Sequence, residues 1–135
     1  MNYNFDNNIP IYLQLVDMLI IDIVSGKLKC GDKLLSVRDY ALKYKVNPNT
    51  MQKALNELED MNLIYTERTN GKYVTNDNSI IENKKNELAK QKVEKYLNDM
   101  ESIGIDYNEA IKYLERGIKW LSLLMCVKSL IIKKY

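Results

Sequence analysis

Three helical periodicities, an Asn47-Pro48 helix start and an Asn70-Gly71 turn between two extended runs predict a mostly α-helical chain with one small β-hairpin. All of these signals fall in the first 75 of 135 residues. The order helix, short helix, turn, longer helix, hairpin is that of a winged helix-turn-helix domain, expected over residues 1–75. Residues 76–135 are expected to form a short C-terminal helical extension.

The first helix is expected over residues 10–25, where Tyr12, Leu15, Val16, Leu19 and Ile23 recur at helical spacing. Pro10 suits a first turn, and Gly26 suits the left-handed residue just past the end. After a Gly31-Asp32 loop, Ser36 and Asp39 resemble a capping box that opens a short helix to about Tyr44. The strict box carries Glu or Gln where Asp39 stands. Asn47 is a strong N-cap and Pro48 favours the first helical position, so a longer helix starts there. Met51, Ala54, Leu55, Leu58 and Met61 form its inner stripe, and Asn62 suits a left-handed end. Residues 64–68 and 72–75 read as strands around Thr69-Asn70-Gly71, because Asn-Gly between extended runs is the strongest short-range hairpin signal.

Residues 76–79 are polar and read as a linker. A long helix follows, with Ala89, Val93, Tyr96, Leu97, Met100 and Ile103 on one stripe and Gly104 at its end. Asp106 with Glu109 opens the next helix, whose inner face carries Tyr107, Ala110, Ile111, Leu114 and Ile118. A two-helix hairpin cannot bury both stripes alone. Pairing with a second copy, through Val93, Tyr96, Leu97, Met100, Ile111, Leu114, Ile118 and Leu121, is therefore expected to close a four-helix or larger bundle. In the tail 118–135, Lys119, Ser122, Cys126, Ser129 and Lys133 form one narrow polar stripe on a largely apolar wheel that also carries Lys128. Dimer packing is the favoured reading of that wide apolar face, and membrane-surface attachment, helped by Lys133 and Lys134, is the alternative. A bilayer span needs ~20 apolar residues, so no stable membrane insertion is expected.

The chain contains no histidine, which removes the commonest general base and metal ligand and every Ser-His or Cys-His pair. Its carboxylates are scattered and no Gly-rich phosphate loop is present, so no enzyme, metal or cofactor is expected. Cys30 and Cys126 have no partner at metal spacing and read as free thiols in a reducing compartment. The N-terminus lacks the pattern of a secretory signal, so a soluble cytoplasmic protein is expected.

A net charge of +2 looks too neutral for a nucleic-acid partner. The distribution answers that objection. Residues 27–53 carry Lys27, Lys29, Lys33, Arg38, Lys43, Lys45 and Lys53 against Asp32 and Asp39, a net +5. Residues 6–26 carry −3, residues 54–67 carry −4, and the hairpin tip 68–72 returns to +2 through Arg68 and Lys72. Positive charge thus sits on the segments that would face phosphate, and Lys72 is expected to touch DNA beside Arg68 and Gly71. In a helix-turn-helix the second helix enters the major groove with its N-terminal residues at base edges; here these are Asn47, Asn49, Thr50, Gln52 and Lys53. Asn and Gln pair bidentately with adenine, and Thr serves a base or a phosphate. Asn47 is expected mainly to cap. Thr50, Gln52 and Lys53 lie off the inner stripe and are expected to touch DNA.

The segments Pro10-Ile11-Tyr12-Leu13-Gln14-Leu15, Gly31-Asp32-Lys33-Leu34 and Ser36-Val37-Arg38 resemble the opening of GntR-type transcriptional regulators. Residues 46–55 are similar to that family's recognition-helix signature, and residues 58–64 and 71–74 continue the likeness, which covers residues 9–75. The resemblance implies operator contacts by Ser36, Arg38, Asn49, Thr50, Gln52, Lys53, Arg68 and Gly71. Cys30 and Leu35 stand where the family usually has proline, and Asn62 and Thr69 where it has glycine. Thr69 is the consequential departure, because a wing with one glycine fewer approaches the minor groove differently. The short C-terminal part resembles the YtrA-type subgroup, whose small helical extension forms a homodimer and whose members commonly repress ABC-transporter operons. Only 60 residues follow Thr75, too few to enclose readily an effector cavity of ~300 Å³ or more. Whether a small-molecule effector exists is not legible. The alternative is a winged-helix protein-interaction module with a membrane-surface-associating C-terminal helix, against which the +5 segment argues.

Overall fold

The N-terminal helix, α1 (Ile11–Val24), starts directly after Pro10 and buries Leu15, Val16, Leu19, Ile20 and Ile23, while Tyr12 of the expected stripe stays half-buried. The computed structural model describes residues 3–132. In α2 (Val37–Tyr44) the Asp39 N–H donates to Ser36 Oγ at 3.1 Å, so this half of the capping box forms. Tyr40 and Tyr44 on its inner face are buried and stack 5.9 Å apart. Burial, reinforced by the Asp22 carboxylate, pushes the Tyr44 hydroxyl up to about 12.

The third helix, α3 (Pro48–Asp60), begins where Asn47 Oδ1 accepts the Asn49 N–H at 2.8 Å. It packs against α1, α2 and the first strand, and Met51, Ala54, Leu55 and Leu58 are fully buried. Met61, placed on this stripe by its spacing, is exposed instead. The helix has ended at Asp60, and the chain turns through Asn62 at φ 59° into the sheet, which carries Met61 off the buried face.

Strands β1 (Ile64–Glu67) and β2 (Gly71–Val74) pair antiparallel in the register Ile64 to Val74, Tyr65 to Tyr73, Thr66 to Lys72 and Glu67 to Gly71. Arg68 therefore lies in the turn rather than in a strand. The loop before α2 adds to the open edge of β2: the Leu34 N–H donates to the Lys72 carbonyl and the Val74 N–H to the Asp32 carbonyl, both at 2.9 Å.

The expected linker is shorter than its polarity suggested. Asp77 Oδ1 accepts from the Ser79 N–H at 2.9 Å and from its hydroxyl at 2.6 Å, so α4 (Asn78–Ser102) begins at Asn78. The chain divides into two compact units, the first ending at Glu87 and the second starting at Leu88. The first therefore includes the opening turns of α4, where Ile81 is buried.

In the second unit the chain turns at Gly104, φ 81°, and α5 (Tyr107–Ile132) starts where Asp106 Oδ1 accepts the Glu109 N–H at 2.9 Å. Up to Ile132 the apolar tail is a continuation of this helix, which runs through Gly117. Tyr96 donates its hydroxyl to the Ala110 carbonyl at 2.7 Å and Ala110 is fully buried, which ties α4 to α5. The side chains of Ile118, Lys128 and Ser129, together with Lys133 and Lys134, lie outside the described residues.

Candidate nucleic-acid interface

Every residue proposed from the sequence to touch DNA belongs to the first unit. The burial of the α3 stripe leaves the opposite side of that helix for other work. Arg38, one position into α2, is exposed, and Ser36 beside it spends its hydroxyl oxygen on the cap. On α3, Asn47 likewise spends its carbonyl oxygen on the helix start, while Asn49 is exposed and Thr50 half-buried. Gln52 is half-buried and donates to Asn56 Oδ1 at 2.8 Å, one turn along the same face.

Lys53 is exposed, and its ammonium sits 3.8 Å from the centre of the Tyr12 ring on α1. Such a contact contributes about 0.5–1 kcal/mol at an exposed site and fixes the direction of the long side chain. Sequence reasoning placed Tyr12 on the buried stripe and missed this role; only the packing of α1 on α3 brings the two residues together.

The hairpin divides its cations. Arg68 is exposed in the turn, and Gly71, at φ 111°, adopts a backbone that side-chain-bearing residues rarely reach. Lys72 differs: its ammonium donates to Thr66 Oγ1 at 2.8 Å and to Glu59 Oε2 at 3.4 Å, and its side chain is only 15% exposed. Thr66 also donates its hydroxyl to Glu59 Oε1 at 2.8 Å. The Thr66 hydroxyl and then the Lys72 ammonium hold the Glu59 carboxyl below its ordinary 4.5.

That depression has a direction in pH. The clamp's contribution is present above the ordinary carboxylate range and is lost as pH falls through the lowered folded-state value. At neutral pH Glu59→Gln should cost no more than about 1 kcal/mol, since the pair is partly solvated. In urea titrations the gap from wild type should close on acidification; a gap constant down to strongly acid pH would contradict the clamp.

Among the described residues no group of three His, Cys, Asp or Glu side chains could hold a metal ion, and no helix is long and apolar enough to cross a membrane. A hollow of about 410 Å³ at the α4–α5 turn, lined in part by Leu97, Glu101, Asp106 and Tyr107, is open to solvent.

Residues 11–74 match the model for bacterial regulatory proteins of the gntR family. Over 119 residues the chain is 34% identical to the uncharacterized HTH-type transcriptional regulator YhcF of Bacillus subtilis strain 168, spanning 88% of this chain and 95% of that protein. It is 35% identical over 112 residues to the HTH-type transcriptional repressor YtrA of the same organism, spanning 83% and 82%. Among solved structures, a GntR family transcriptional regulator from Listeria monocytogenes superposes with a TM-score of 0.78 at 44% identity, covering 83% of this chain and 98% of that one.

Proposed function

The chain belongs to the GntR family of bacterial regulatory proteins and is a DNA-binding transcriptional regulator, and from that premise we propose that it is a homodimeric repressor of a near-palindromic operator. The operator is gripped by Arg38 on α2, by Asn49, Thr50, Gln52 and Lys53 on α3, and by Arg68 and Gly71 on the hairpin. Ser36 and Asn47 hold the two helix starts at the same surface. The observation that carries this reading is the two-sidedness of α3: its apolar stripe is fully buried, while Asn49 and Lys53 are exposed within a segment of net charge +5.

The apolar side chains of the second unit support a homodimer. Val93, Leu114 and Leu121 are 55%, 47% and 61% exposed in the single chain, and Tyr96, Leu97, Met100 and Ile111 are only half-buried. A second copy covers that surface, and its two-fold symmetry sets the recognition helices about one DNA turn, ~34 Å, or a multiple of it apart. The likeness to YtrA-type regulators makes an ABC-transporter operon the target of this proposal.

Binding of a labelled operator duplex to the wild type, Arg38→Ala and Thr50→Ala tests the surface. Each variant should lose about 1–3 kcal/mol where the side chain reads a base edge. Unchanged affinity in both would remove the assignment.

A further inference from the structure

Two lysines flank the hairpin on opposite faces. Lys72 pairs with Thr66 across the strands and points with it toward α3, where Glu59 and Thr66 take up its ammonium. Its formal charge, which helped make the tip +2, is offset by a carboxylate at 3.4 Å.

Lys33 lies on the loop that extends the sheet and forms an antiparallel bridge with Tyr73. Bridged residues share a sheet face, so Lys33, Tyr73 and Tyr65 form a row on the face turned away from Glu59. Tyr65 and Tyr73 stack there with ring centres 5.7 Å apart. Gly71 is two residues before Tyr73 and therefore opens on the same face; a Cβ at Gly71 would lie 3.5 Å from Lys33 Cε. The Lys33 side chain thus runs along the strand toward the turn that carries Arg68. It is exposed, and its ammonium has no ion pair or hydrogen bond among the described residues. Glu67 Oε2 accepts from the Asn70 amide at 3.2 Å and makes no ion pair with Lys33 among the described residues.

We propose that Lys33, and not Lys72, is the lysine with which the hairpin region holds DNA, through a backbone phosphate beside the wing tip. Lys72 is a strut that fixes the hairpin on α3. The assignment rests on the reading of α2, α3 and the hairpin as the DNA-facing surface.

A phosphate contact carries no sequence preference, so a labelled duplex of mixed sequence is a sufficient probe. Affinity is measured against salt for the full chain and for Lys33→Gln, Lys33→Arg and Lys72→Gln, with thermal unfolding of each as a folding control. Lys33→Gln should reduce the slope of log affinity on log salt by about 0.9 per bound protomer, the value of a single neutralised phosphate, and leave the melting temperature in place. Lys33→Arg should restore the slope. Lys72→Gln removes the same formal charge and should leave the slope unchanged. A wild-type slope in Lys33→Gln, or a reduction of about 0.9 in Lys72→Gln instead, would overturn the assignment. Failure of the wild type to bind the duplex at low salt would overturn the DNA-facing surface itself, a result distinct from either.

Discussion

A chain ending at Glu87 should fold as a monomer and bind a duplex with two half-sites about 10²–10⁴-fold more weakly than the full chain. The first unit closes at Glu87 and contains the whole winged helix, including Ile81, which is buried. A cut directly after Thr75 would remove Ile81 and open that part of the core, whereas a cut after Glu87 leaves it covered. What the shorter chain lacks is the exposed apolar surface of residues 88–135, and in the proposed homodimer that surface supplies the tether that makes binding of the second half-site intramolecular. Molar mass by light scattering and a duplex titration read the two effects separately. A truncated protein that is still dimeric and keeps full affinity would refute the dimerisation role of residues 88–135.

Leu55→Ala should cost about 2–5 kcal/mol of stability, as truncation of any fully buried large side chain on α3 should. Leu55 is fully buried in the stripe that packs α3 on α1 and α2, so truncation removes apolar contacts and leaves a cavity. A domain stable by roughly 5–15 kcal/mol loses a large part of that margin. Arg38→Ala is the contrasting case. Its side chain is exposed, so the urea midpoint should stay put while duplex affinity falls. If Leu55→Ala unfolded at the wild-type urea concentration, the buried face of α3 would be wrongly assigned.

The features legible in the sequence are those decided within a few residues. Asn47-Pro48 starts a helix because the cap oxygen reaches an N–H two positions on, and Asn62 ends it because Asn tolerates the left-handed region. The Asn70-Gly71 signal also marks a hairpin, but through a three-residue turn over 68–70 in which Gly71, not Asn70, takes the positive φ. Periodicity alone is enough to identify the buried stripe from Met51 to Leu58, but it overruns at Met61, where the helix has already ended.

The features that escape depend on distant contacts or on competing local bonds. Polarity at residues 76–79 suggests a linker, yet Asp77 uses the same polarity to cap α4. Tyr12 under Lys53 and Glu59 against Lys72 join elements far apart in the chain, and a count of charges treats Lys72 as free when Glu59 holds it.

For a homodimeric repressor the decisive measurement is selection of bound sequences from a random duplex library with the full-length chain. A near-palindrome should be enriched, with two inverted half-sites about one helical turn, ~34 Å, or a multiple of it apart, and Thr50→Ala should relax the base preference at one position of each half-site. A single asymmetric site, or no enrichment over the starting library, would contradict it.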